Sequence, residues 1–341
     1  DSILEKPHLF EMLVDKSMSW LVTGVAGFIG SHLLEGLLLL NQKVIGIDNF
    51  STGKQSNLDE VQRNVSKDVW ENFKFVRGDI GSSKLCEECC EGVDFVLHQA
   101  AVASVVDSFA NPNATNEVNI NGLVNVLLAA KKSGVKRLVY ASSSAVYGNA
   151  GSGSRSEADS LNPLSPYALS KQVNEIHAWM LLGKEDLATV GLRYFNVYGP
   201  RQSVDGPYAA VIPLWIAAAT KGEAIQVFGD GSTTRDFCYI GDVVRANLLA
   251  AAANLPSQHH VFNVGSGYET SLNELHTEIH KSLGVEETRR RVDHHPLREG
   301  EVLHSKSSLD LIGSTIGYVP SISLADGLKA TIDWHLFCGK A

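Results

Sequence analysis

Tyr167 and Lys171 stand four residues apart in the stretch YALSK. On a helix that spacing puts phenol and ammonium on one face. Upstream, RLVYASSS ends in Ser142, Ser143 and Ser144, a strand-like run that stops in hydroxyls. Tyrosine ordinarily titrates near 10, so a tyrosine base working near pH 7 needs its pKa lowered by roughly three units, about 4 kcal/mol. Lys171 and a second neighbouring cation are able to do this, with Tyr167 taking a hydroxyl proton as hydride leaves the same carbon. Ser143 is expected to hydrogen-bond the same oxygen. Taken alone, a YxxxK pair is most often a surface coincidence, and three serines are most often a polar strand end.

A second motif supplies the missing context. GVAGFIG places Gly24, Gly27 and Gly30 between the strand-like WLVT and an apolar helix that opens with Phe28 and Ile29. Gly24 suits a tight turn, Gly27 a close approach of backbone to a pyrophosphate, and Gly30 the packing of helix on strand. Asp48 ends the next strand-like run 18 residues after Gly30. That is the offset at which a carboxylate holds an adenosine ribose diol and repels a 2'-phosphate, which favours NAD over NADP. Lys54 keeps NADP open as an alternative. Asp79 and Ile80, after FKFVRG, sit where a third strand delivers contacts to adenine; Asp79 reads equally well as a helix cap.

Around these motifs, short β-branched or aromatic runs alternate with helical patterns: WLVTG, KVIGID, FKFVRGD, DFVLHQA, RLVYASS and ATVGLRYFN. The alternation predicts an α/β fold, a Rossmann-type doubly wound parallel sheet over residues 1–195. Residues 196–341, richer in turns, are expected to form a smaller mixed α/β substrate-binding lobe, with some segments returning to the first domain. Residues 1–16 read as a short surface helix. The composition is that of a soluble globular chain, 44% hydrophobic and 20% charged. A net charge of -9 disfavours a nucleic-acid or anionic-membrane surface. No apolar run is long enough to span a bilayer and no leader is evident, so a cytoplasmic location is expected. Cys86, Cys89 and Cys90 read as reduced thiols on a helix, and the scattered histidines lack metal-site spacing, so no metal is expected.

The motifs together resemble the extended short-chain dehydrogenase/reductases that act on nucleotide sugars. GVAGFIGSHL, DNFSTG, GDI, HQAA, SSSAVYG, YALSK, LRYFNVYGPRQ, GDGSTTRDFCYIGDV and a late REGE appear in that family's order. The resemblance implies an NAD site that also uses Asn49, Ser51, Thr52, Gly53, Gln99, Ala100 and Ala101. It implies a UDP-sugar site that includes Ser104, Ser142, Ser143, Ser144, Tyr167, Asn196, Gln202, Val211 and Ser305, with Arg235 and Arg298 pairing with the phosphates. Dehydratases of the family carry an acidic pair where this chain has Ser144 and Ala145, and decarboxylases a glutamate at the position of Ala145. What remains is NAD-dependent 4-epimerisation. RQ at Arg201 and Gln202, YAAVIP from Tyr208 and HS at His304 and Ser305 look most like bacterial UDP-N-acetylglucosamine 4-epimerases of polysaccharide synthesis. There a small residue at the position of Ser305 admits the N-acetyl group. Ala103, Asp107 and Glu301 depart from that subgroup, and Asp107 is a poor neighbour for a diphosphate or an anionic sugar. UDP-glucose/UDP-galactose or UDP-glucuronate epimerisation, and a non-catalytic dinucleotide sensor, stay as alternatives. Relatives pair through the Tyr167 helix and a helix over 114–132, so a homodimer is expected; the Val118, Leu123, Val126 and Leu127 stripe fits either an interface or an intramolecular face.

Overall fold

The computed structural model describes residues 16–149, 153–182, 187–204, 210–256, 258–286, 288, 290–297 and 303–338. The expected N-terminal helix, Arg298 and Glu301 lie outside them. Seven parallel strands form the central sheet: β1 (Ser19–Thr23), β2 (Lys43–Asp48), β3 (Phe73–Arg77), β4 (Phe95–His98), β5 (Arg137–Ser143), β6 (Ala188–Tyr194) and a late arrival, His259–Val264. Their order runs β3-β2-β1-β4-β5-β6 and then the late strand. The chain reverses direction across the sheet between β1 and β4, which opens a crevice at the carboxyl ends of the strands.

Both faces of the sheet are covered, as the near-continuous apolar runs of its strands require. One face carries Val22, Val139, Val190 and Phe262 against Leu33 and Leu37 of the helix Phe28–Leu39 and Val243 of the helix Ile240–Ala252. The other carries Leu21, Val96 and Leu138 against Leu123, Val126 and Leu127. Those three side chains are wholly buried, so the stripe read from the sequence is an intramolecular face. Each such leucine or valine contributes about 1.5–3 kcal/mol by leaving water. Cys86, Cys89 and Cys90 join the same cluster, where burial pushes the Cys86 and Cys90 thiols up to about 12 and keeps them protonated.

A third core, with Ile212, Trp215, Phe237, Leu275 and Leu328, belongs to the later part of the chain. Here short strand pairs replace the long sheet: Asn196–Tyr198 beside Phe237–Tyr239, Ile225–Phe228 beside Val292–His295, and Thr234–Arg235 antiparallel to Thr270–Ser271. No described helix is long and apolar enough to cross a membrane.

Candidate functional site

The turn after β1 is built for close backbone approach. Gly24 has φ +69°, and a Cβ there would lie 2.8 Å from the Ala100 nitrogen. At Gly30 a Cβ would lie 2.0 Å from the Gly24 carbonyl oxygen, so only glycine lets the helix Phe28–Leu39 begin this close to the turn. That helix starts at Gly27 without a side-chain cap or an acidic residue in its first turn. Such an end suits an anion, because uncapped N–H groups and the helix dipole act together. Phe28 and Ile29 are partly buried and pack against the core.

One cavity gathers Gly24 and Gly27 with the carboxyl ends of three further strands. From β2 come Asp48, Asn49, Ser51 and Thr52; from β3, Asp79 and Ile80; from β4, Gln99, Ala100 and Ala101. Asp48 is 7% exposed and accepts hydrogen bonds from the Ala26 and Phe50 amides at 2.9 and 2.8 Å. A carboxylate offers about four lone-pair positions, so two remain for a ligand. Gly53 does not line the cavity but is required beside it, since a Cβ there would approach Asp48 Oδ1 to 2.8 Å. Asp79 accepts from Asn49 Nδ2 and the Gly81 amide, and the following helix is capped by Ser82 instead. Gln99 is tied to Asn247 at 3.2 Å and to the Tyr194 hydroxyl at 3.3 Å, which fixes the β4 end.

Tyr167 is the second residue of the helix Pro166–Leu182, and Ser165 Oγ accepts from the Ala168 amide at 3.1 Å at its start. One turn on, Lys171 is 3% exposed and donates to the Ala141 carbonyl at 2.9 Å, with its Nζ 5.8 Å from the Tyr167 ring centre. Burial holds the Lys171 ammonium down to about 8. Burial also pushes the Tyr167 phenol up, and its hydrogen bond with Ser143 acts in the opposite direction. Desolvation is the larger of these two influences, and an oxidised nicotinamide beside the phenol would add a charge that favours phenolate.

Ser143, Ser144 and Tyr167 share a second cavity of about 370 Å³ with Asn196, Arg235 and Ser305. Gln202 and Val211 line a third, of about 950 Å³, whose walls again include Asn196 and Arg235. Those two residues therefore mark the junction of the two spaces. Two expected contacts fall elsewhere. Ser142 is 2% exposed and donates to Glu175 Oε1 at 2.6 Å, because neighbouring residues of a strand face opposite ways. Ser104 caps the short helix Val105–Ala110, accepting from the Asp107 amide at 3.0 Å. Asp107 itself is exposed and lines neither cavity. No carboxylate lines the Tyr167 cavity among the described residues, where Ala145 and Ser144 occupy the positions an eliminating acid would need.

Sequence reasoning missed a buried chain behind the catalytic strand. Arg193 binds Glu175 through Nε and Nη2 at 2.9 and 2.7 Å, and its Nη1 donates to the Tyr147 hydroxyl at 2.8 Å. The signal was present: Arg193 is the one charge in the apolar run ATVGLRYFN, and Glu175 lies a turn beyond Lys171. Arg155 and His304, which also line the Tyr167 cavity, were assigned no contact.

The family profile described as "NAD dependent epimerase/dehydratase family" matches residues 20–265. A putative UDP-glucose 4-epimerase of Methanocaldococcus jannaschii is 38% identical over 92% of this chain and 97% of its own length. A UDP-N-acetylglucosamine 4-epimerase from Methanobrevibacter ruminantium M1, solved in complex with UDP-N-acetylmuramic acid, superposes with a TM-score of 0.87 at 33% identity, covering 95% of this chain and 99% of that one. A UDP-glucuronic acid 4-epimerase from Bacillus cereus gives 0.84 at 30% identity, covering 94% and 100%. The chain belongs to the NAD-dependent epimerase/dehydratase family. NAD is its cofactor, and the glycine turn with Asp48 fits that group. Gly30→Ala is expected to push helix and turn apart and lower the NAD retained per chain at least tenfold, read by absorbance after desalting; full retention would mean that the turn does not need this contact.

Proposed function

We propose that this NAD-dependent UDP-sugar 4-epimerase, an isomerase, interconverts UDP-N-acetylglucosamine and UDP-N-acetylgalactosamine through a 4-keto sugar. The observation that carries the choice of sugar is Ser305, a small side chain in the wall of the cavity that also holds Tyr167 and Ser143. Asn196 and Arg235, at the junction of the two cavities, suit the diphosphate, the guanidinium as its charge partner. The larger cavity, with Gln202, Val211 and Trp215 in its wall, takes the nucleoside.

In this reading the Tyr167 oxygen takes the C4 hydroxyl proton and gives it back after the sugar has turned over. Ser143 holds the same oxygen in place and Lys171 stabilises negative charge on the phenol. NAD, which the glycine turn and Asp48 would hold, would supply reversible hydride chemistry at C4, so no net redox would occur. Phosphate recognition by arginine also accounts for how an acidic protein takes an anionic substrate.

UDP-glucuronate is a second reading, favoured by Arg155 and His304 in the wall of the sugar cavity. The sequence argument against it rested on Asp107, which faces neither cavity. Purified protein incubated separately with UDP-N-acetylglucosamine, UDP-glucose and UDP-glucuronate, without added NAD, separates the readings by chromatography of the products. Conversion of the first supports the proposal; conversion of another alone replaces the substrate, and conversion of none removes the catalytic reading. Ser305→Tyr is expected to lower kcat/KM for the N-acetylated sugar at least tenfold more than for UDP-glucose. Equal losses would show that Ser305 does not discriminate.

We also propose a homodimer, through a face other than the buried stripe. Leu169, Ile176, Trp179 and Met180 of the Tyr167 helix are 46–69% exposed, and Leu128 on the neighbouring helix is 49% exposed. An apolar area of that kind marks a protein interface. A monomer by light scattering at micromolar concentration would remove the proposal.

A further inference from the structure

We infer that Arg201 is a positioning residue: it clamps the segment 199–204 to the cofactor-binding half and so sets Gln202 in the wall of the nucleotide-sugar cavity. Across this turn successive side chains face two ways. Arg201 and Ser203 reach the cofactor half, whereas Gln202 and Val204 line the larger cavity. Ser203 Oγ accepts from Lys54 Nζ at 3.1 Å, so two alternate residues are held from the same side.

The Arg201 contact is the stronger of the two. Its side chain is 4% exposed. Nε lies 2.9 Å from Glu60 Oε1, and Nη2 pairs with Glu35. Glu35 sits on the helix Phe28–Leu39, whose first turn borders the cofactor cavity, and Glu60 on the helix Gln55–Asn64. Each carboxylate is itself held. Glu35 accepts from Asn64 Nδ2 at 2.8 Å, and Glu60 from the Trp334 indole at 3.1 and 2.9 Å. His32, buried nearby, is pushed down to about 3 by burial and by the Arg201 charge, and so stays neutral.

The backbone carries the mark of this arrangement. Arg201 has φ +62°, in the left-handed region that side chains avoid. A residue persists there when its surroundings over-determine it, and strain of this kind gathers at sites that position a neighbour. That neighbour is Gln202. Its Nε2 donates to the Val197 carbonyl at 3.0 Å, while its Oε1 is buried with no hydrogen-bond partner among the described residues. A buried acceptor on a cavity wall is costly unless a ligand donates to it. The clamp would hold that acceptor at the depth where a ligand can reach it.

The inference rests on the reading of Gln202 as a contact of the UDP-sugar, so the test uses UDP, the part common to every substrate considered. UDP affinity of the NAD-loaded protein is measured by calorimetry for wild type, Arg201→Gly, Glu60→Gln, Gln202→Ala and the double variant R201G/Q202A. Glycine adopts the observed backbone without strain, which keeps the segment folded, and Glu60→Gln weakens the clamp while keeping its shape. Expected are a roughly tenfold weaker Kd in R201G and in Q202A, a smaller weakening in E60Q, unchanged NAD content, and a double variant no more than twofold worse than the worse single one. A merely structural role for Arg201 would lower the melting temperature and leave UDP affinity in place. Wild-type affinity in both R201G and E60Q, or fully additive losses in the double variant, would overturn the clamp alone. Wild-type affinity in Q202A would remove the reading of Gln202 and the clamp together.

Discussion

Tyr167→Phe is expected to cut turnover by about 10²–10⁴-fold, the range that a positioned acid or base supplies, while NAD content and UDP affinity stay within a factor of two. The substitution removes one oxygen and little else. The ring remains at the second position of its helix, and Lys171 keeps its 2.9 Å bond to the Ala141 carbonyl. Ser143 loses its phenol partner but stays on β5 at the cavity wall. Because the phenol transfers a proton in both half-reactions, its loss affects kcat and kcat/KM alike, the pattern of a group used in the transition state. Turnover within tenfold of wild type would remove the assigned role, and a parallel fall in NAD content would show that the hydroxyl binds cofactor rather than moves a proton.

Six of the seven central strands were legible because parallel strands buried on both faces leave long β-branched runs with glycines and aspartates at their ends. The dinucleotide turn was legible for a related reason: its glycines are demanded by backbone geometry, and a pattern of that kind is visible in the chain itself. The strand His259–Val264 was harder to see. Two histidines open it, and it enters the sheet beside β6 only through long-range pairing. The errors at the site have one physical source, the direction of individual side chains. Ser142 and Ser143 are adjacent, yet one meets Glu175 and the other Tyr167. The resemblance placed Ser142 in the substrate site, whereas its hydroxyl is buried on Glu175. Ser104 was assigned to substrate and is used by a helix end. Asp107 was read as an electrostatic problem and lines neither cavity. Spacing gives the position of a residue; only packing gives the direction it faces.

The second large effect belongs to the buried chain that sequence reasoning missed. Arg193→Met is expected to destabilise the fold by about 3–5 kcal/mol, since removing one partner leaves the other charge buried without compensation. The pair is shielded on both sides, with the Arg193 and Glu175 side chains 5% and 7% exposed. Hydrogen bonding and charge from Glu175 hold the guanidinium above its ordinary range against the desolvation that opposes it. Met fills much of the arginine volume without a charge, so the cost is electrostatic more than a cavity. The double variant R193M/E175L is the decisive control. With no charge left to strand, it is expected to recover at least half of the loss, leaving the smaller cost of Ser142 and Tyr147 hydroxyls that have lost partners. Urea unfolding monitored by tryptophan fluorescence reads both variants. Equal destabilisation in the single and double variants would mean that packing, not the stranded carboxylate, sets the cost. If R193M were neutral, Glu175 would have to be relieved by water or by taking up a proton. If the double variant recovers, the network holds β5 and the Tyr167 helix in register through charge, because Glu175 rides on that helix while Ser142 precedes the serine that Tyr167 bonds. Some of the lost stability should then also appear as lost turnover in the folded fraction of R193M, returned in part by the second substitution.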